Sequence, residues 1–134
     1  MKSKTDWQAR LDCEKPLQIK TLEKSFAGIP SGATMLIVIP KMVDEAVKLI
    51  PVGQTIDQKV LRKQLAEKFQ ADYACPVTTG ISLRVVAEAA YARIVGGVNP
   101  SEVSPFWRAV DPSSDLAGKL ACGRDFIVTM RNKG

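Results

Sequence analysis

Ile81-Ser82-Leu83-Arg84-Val85-Val86-Ala87-Glu88-Ala89-Ala90-Tyr91-Ala92-Arg93-Ile94-Val95-Gly96-Gly97 carries the clearest pattern in the chain. Leu83, Val86, Ala87, Ala90 and Ile94 recur at the spacing that lines one side of a helix. Gly96-Gly97 then supplies the stop, because glycine enters the conformations beyond a helix end without a steric penalty. Arg84, Glu88 and Tyr91 share a separate, flanking face, with Glu88 one turn from Arg84 where it neutralises the arginine. A helix is therefore predicted over 81–95, and the remaining segments are placed around it.

Upstream, Asp57 stands where an N-cap belongs, and Leu61, Leu65 and Phe69 form an apolar stripe that predicts a helix over 57–69. Lys59, Arg62 and Lys63 point away from that stripe. Between the two helices, 71–80 reads as a connection of roughly ten residues, with Pro76, Thr78, Thr79 and Gly80 as turn chemistry. Such a link is longer than the usual helix-turn-helix turn. Val43, Ala46, Val47 and Ile50 predict an earlier helix over 41–50, ended by Pro51-Val52-Gly53. The run Ala33 to Ile39 follows a Ser31-Gly32 turn, reads as extended and stops at Pro40. Residues 1–30 are mixed in charge and weakly periodic, although Trp7 and Leu11 stand four apart and would pin a short helix onto the body.

Downstream of the Asn99-Pro100 loop, Phe106 to Val110 reads as a short strand. Asp111-Pro112-Ser113-Ser114 turns the chain and caps a short helix over 115–121, broken by Cys122-Gly123. Arg124 to Arg131 fits a final helix or an extended segment, with the helix preferred. The expected fold is mainly α (α+β): a three-helix helix-turn-helix core with a winged-helix-like short strand and an N-terminal extension. The division is 1–30 for the extension and 31–134 for the domain.

Composition narrows the function classes. Of 134 residues, 46% are hydrophobic and 25% charged, the balance of a folded chain rather than a disordered one. The longest apolar run, Met35 to Ile39, is far short of the roughly 20 residues that span a bilayer, so no membrane partner is expected. Met1 to Asp6 lacks the apolar core of a signal peptide, and a cytoplasmic location is the expectation. Cys13, Cys75 and Cys122 are widely spaced, and there is no histidine, so no metal site or other cofactor is assigned. Cys75 precedes the predicted third helix, but no base is identifiable near it, and no catalytic residue is assigned. The net charge of +5 and pI of about 9.2 favour phosphate-bearing partners.

Helix 57–69 is then the supporting helix of a DNA-binding unit, with Lys59, Arg62 and Lys63 near phosphates. Helix 81–95 is the recognition helix, offering Arg84 and Arg93. The competing reading is a protein-protein interaction module on the same fold, favoured by the 1–30 extension, the Arg84/Glu88 pair and the long 71–80 connection.

Several pieces occur in an order that resembles the DNA-binding domain of the alkylguanine DNA alkyltransferases. Ile50-Pro51-Val52-Gly53-Gln54-Thr55-Ile56 is similar to that family's Ile-Pro-x-Gly-x-Val-x-Thr lead-in. Ala92-Arg93-Ile94-Val95-Gly96-Gly97-Val98-Asn99-Pro100 resembles its Ala-Arg-Ala-Val-Gly-Gly…Asn-Pro. Pro105-Phe106-Trp107-Arg108 takes the place of its reactive Pro-Cys-His-Arg, and Leu116-Ala117-Gly118 resembles a Leu-x-Gly that lies in a loop in the family. The resemblance covers about Ile50 to Arg131. It implies an alkyltransferase-like winged-helix DNA-binding domain over 31–134.

Phe106 stands where the family has its cysteine and Trp107 where it has its histidine. Alkyl transfer needs a thiolate and a base to activate it, so the resemblance implies a non-enzymatic relative. Such relatives bind double-stranded DNA with a modified guanine flipped into a pocket. On that basis Tyr73, Phe106 and Trp107 are the candidate lesion pocket, and Arg108 joins the DNA-contacting set. The family's intercalating arginine matches Arg93 if the Gly-Gly loops are aligned and Arg84 if the helix starts are.

Overall fold

The 20-residue helix α4 (Pro76–Val95) is the axis on which the chain is assembled. A computed structural model describes residues 6–133. Before α4 come α1 (Trp7–Asp12), β1 (Ile19–Thr21), β2 (Thr34–Leu36), α2 (Pro40–Lys48), α3 (Gln58–Lys68) and β3 (Tyr73–Ala74). After it come two single 3-10 turns (Pro100–Glu102 and Phe106–Arg108), then α5 (Asp115–Lys119) and α6 (Gly123–Lys133). The architecture is mainly helical with one small sheet, an α+β arrangement.

β2 is the central strand. It pairs antiparallel with β1, Lys20 opposite Met35, and parallel with β3, Leu36 opposite Ala74. The β2–β3 pair is closed by reciprocal bonds: Thr34 donates its N–H to the Asp72 carboxylate at 2.9 Å, and the Asp72 N–H donates to Thr34 Oγ1 at 2.9 Å. β1 thus joins residues of the 1–30 segment to the sheet of the body.

Of the predicted stripe on α4, Leu83, Val86, Ala87 and Ala90 are buried and Ile94 is partly buried, but Val85 and Ala89 are buried too, because α1 packs on another side of the helix. A helix apolar around most of its circumference must be covered on several sides. α2, α3 and β2 contribute Val43, Val47, Leu61, Leu65 and Leu36 to the same core, and Ile127 closes it from α6.

Three expectations are corrected. The connection over 71–80 is only partly a connection: Tyr73–Ala74 is a strand, and the third helix starts at Pro76 rather than 81. Pro76 fits the first turn, where its missing N–H is no loss. The Cys75 sulfur accepts the Thr78 N–H, and Thr79 Oγ1 donates to the Cys75 carbonyl at 2.7 Å. Thr78 and Thr79, read as turn formers, therefore serve the helix start.

The strand expected over 106–110 is instead a 3-10 turn, with the Arg108 N–H donating to the Pro105 carbonyl at 3.0 Å. A strand would alternate its faces and expose one of two adjacent aromatics, whereas Phe106 and Trp107 are both buried. The short helix expected over 115–121 stops at Lys119. The final segment is helical, tied down by Arg131, which donates to the Trp107 and Val110 carbonyls at 2.8 and 2.7 Å. Among the described residues, no helix is long and apolar enough to cross a membrane.

Candidate nucleic-acid interface

Asp57 caps α3: its carboxylate accepts the Val60 N–H at 2.8 Å and fixes the helix entry. From there Lys59, Arg62, Lys63, Ala66 and Glu67 fall at i, i+3, i+4, i+7 and i+8, a single face turned away from the Leu61/Leu65 core face. The helix ends in a Schellman arrangement: Gln70 N–H donates to Glu67 O and Ala71 N–H to Ala66 O. That reversal puts the chain into β3 alongside the same face.

The result is a cleft of about 460 Å³. Lys59, Arg62 and Lys63 form one wall, Tyr73 of β3 another, and the hairpin turn Ala27-Gly28-Ile29 a third. Its floor is made of small residues, with Ala66 and Ala74 both buried. Tyr73 is 42% exposed, and none of the three cations has an ion-pair partner among the described residues. Two carboxylates stand at the rim. Asp72 is engaged by the Thr34 N–H, and Glu67 is exposed and outside any ion pair among the described residues.

The 26–29 hairpin was missed by sequence reasoning. Phe26 and Ile29 exchange backbone bonds of 2.9 and 2.8 Å, and both central residues have positive φ, Ala27 at 51° and Gly28 at 86°. This is the pattern of a type I′ turn, which favours Asn-Gly. Gly28 was its one local signal, and the alanine before it hides the turn.

The other predicted contact residues sit elsewhere. Arg84 is held under α1: its guanidinium lies 5.4 Å from the Trp7 ring centroid, and Nε is 3.8 Å from Glu88 Oε2. Its Nε is buried without a hydrogen-bond acceptor among the described residues. Glu88 itself is buried and accepts the Ala121 N–H at 3.1 Å, so it anchors the α5–α6 loop as well as the arginine. Arg93 is exposed, in a mixed-charge depression with Asp44, Lys48 and Glu102. Arg108 is half-buried; its Nη1 donates to the Ile50 carbonyl at 3.0 Å, and its carbonyl accepts the Ile56 N–H at 2.8 Å. It braces the loop that leads into α3.

Phe106 and Trp107 belong to an aromatic cluster with Phe126 and Tyr91. Phe106 lies edge-on to Trp107 at 5.3 Å and stacks on Phe126 at 6.2 Å; Tyr91 meets Phe126 at 5.2 Å. Tyr73 lies apart from this cluster, in the α3 cleft. Trp107 does border a second depression of about 590 Å³ with Pro105, Arg108, Met130 and Lys133. Its indole N–H is buried with no acceptor among the described residues. A buried donor of this kind normally finds a partner.

The thiols differ in environment. Cys75 is a buried N-cap, Cys13 is exposed, and burial together with the nearby Glu88 carboxylate pushes the Cys122 thiol up to about 11. Comparison with protein-family models, with curated proteins and with solved structures gave no match.

Proposed function

We propose that this chain is a non-enzymatic, alkyltransferase-like double-stranded DNA-binding protein that senses damaged bases from a winged-helix scaffold. The observation that carries the reading is the α3 face, where Lys59, Arg62 and Lys63 stand together with no ion-pair partner among the described residues. Unneutralised cations one turn apart on a helix meet successive phosphates and displace their counterions. Arg93 and Arg108 extend the contact set. Arg84 joins it only by leaving Trp7 and Glu88. The base-sensing part of the reading rests on Trp107, which borders the second depression and whose buried indole N–H has no acceptor among the described residues. With no histidine in the chain and Phe106 in the core, no thiol relay accompanies that site.

The test is a binding titration against plain and alkylguanine-containing duplexes. The three α3 contacts by themselves predict that affinity falls by at least about 40-fold between about 50 and 200 mM salt. The triple variant Lys59→Ala, Arg62→Ala, Lys63→Ala removes most of that dependence. Affinity indifferent to salt, or to the triple variant, refutes the interface, and equal affinity for both duplexes refutes lesion sensing.

A second reading, a protein-protein interaction module, is favoured by a different observation. Leu49 and Val52 are 77% and 76% exposed in the α2–α3 loop. Large apolar side chains so exposed mark contact surfaces when they cluster. A nuclease-resistant complex lost on Leu49→Ser and Val52→Ser supports that reading; a complex that survives both changes refutes it.

A further inference from the structure

The α3 cleft has a composition that a duplex backbone alone does not require. A phosphate track needs cations, yet this cleft also holds an exposed aromatic ring and a carboxylate outside any ion pair among the described residues, over a floor of alanines. From these features we infer that the cleft between α3, β3 and the 26–29 hairpin is a binding site for one unpaired nucleotide. Its phosphate lies on Lys59, Arg62 and Lys63 and its base lies against Tyr73.

Each wall supplies one part of that recognition. Three cations attract a phosphodiester, and Arg62 offers the planar fork that suits phosphate oxygens. Tyr73 presents a π-face to which any base can stack without regard to sequence. Glu67 repels an isolated anion but accepts an N–H from a base amino group, so charges of both signs fit a nucleotide better than a bare phosphate. The volume of about 460 Å³ lies in the range of small-ligand sites, and the alanine floor keeps it open. A stacked base pair has no free face for Tyr73, which restricts the site to single strands, frayed ends or free nucleotides. Ala27 at φ 51° is backbone held in the left-handed region, the kind of strain that gathers at ligand-binding edges.

The inference rests on the proposed function only in taking the α3 cations as phosphate contacts. Its test is a competition experiment by fluorescence anisotropy on the full chain. A labelled short cytidine-rich single strand is compared with a blunt duplex of equal phosphate number, with free dCMP and inorganic phosphate as competitors. The expected result is tighter binding of the single strand, displaced by dCMP and not by inorganic phosphate at the same concentration. Tyr73→Ala weakens single-strand binding about fivefold or more, and Tyr73→Phe, which keeps the ring, holds it within about twofold. Both variants change an exposed side chain, and a matching circular-dichroism melt certifies that each is folded.

Displacement by inorganic phosphate as effective as by dCMP overturns the inference, as does an unchanged affinity in Tyr73→Ala. If dCMP binds as tightly as the strand, the site stands and its source is a free nucleotide. Tyr73-dependent binding of single strands without duplex binding supports the cleft and refutes the proposed function. Salt-sensitive duplex binding indifferent to Tyr73 does the reverse.

Discussion

Replacing Phe106 decides whether the Pro105–Arg108 segment is core or the wall of an open pocket. The ring is fully buried between Trp107 and Phe126, with centroid distances of 5.3 and 6.2 Å. Phe106→Ala removes the ring and leaves a cavity under the 3-10 turn, at a cost of about 3–5 kcal/mol. Domains of this size are stable by about 5–15 kcal/mol, so the loss removes a large share of the total. With a urea slope near 2 kcal/mol/M, the unfolding midpoint falls by about 2 M. Phe106→Leu keeps most of the volume, costs less than about 1.5 kcal/mol and shifts the midpoint by well under 1 M.

Urea titration followed by tryptophan fluorescence reads both variants, because Trp107 touches the altered site. The graded pair matters: if the alanine variant fails to express, the leucine variant still reports. A midpoint shift below about 0.5 M for Phe106→Ala refutes the core assignment and returns the ring to a solvent-facing pocket.

Three further outcomes follow from local geometry and burial. Gln70 holds φ 58° at the residue after the α3 C-cap, a position that favours glycine. Gln70→Gly relieves roughly 1–2 kcal/mol of left-handed strain and adds some unfolded-state entropy, for a net gain of about 0.5–1 kcal/mol in urea melts; a loss of stability refutes the cap assignment. A thiol reagent at pH 8 reacts rapidly with Cys13 and slowly with Cys75 and Cys122, and rapid reaction of more than one thiol in the native protein contradicts the burial pattern. The raised Cys122 value also sets a sign: its contribution to stability is full below the unfolded value near 9.0 and is lost as pH rises through about 11, so Cys122→Ala flattens the alkaline limb of the stability profile.

Much of the helical layout was legible from spacing. Val43, Ala46, Val47 and Ile50 placed α2, and Asp57 with Leu61 and Leu65 placed α3 including its cap, because caps and amphipathic stripes are short-range properties of a helix. The start of α4 was obscured because proline, threonine and glycine serve helix N-termini and turns alike. The interior of α4 was read as one stripe because a period reports the strongest face, not how many neighbours arrive to cover the others.

The candidate site divides along the same line. That Lys59, Arg62 and Lys63 share a face, and that the chain contains no histidine to build a thiol relay, are properties of the sequence itself. Arg84 lies under Trp7, Phe106 is sealed in an aromatic cluster, and Tyr73 faces α3 across a cleft closed by residues 26–29. Those three facts belong to tertiary structure alone. Each depends on contacts between segments far apart in the chain, and no local pattern of charge or hydrophobicity states which distant segment comes to lie against a given face.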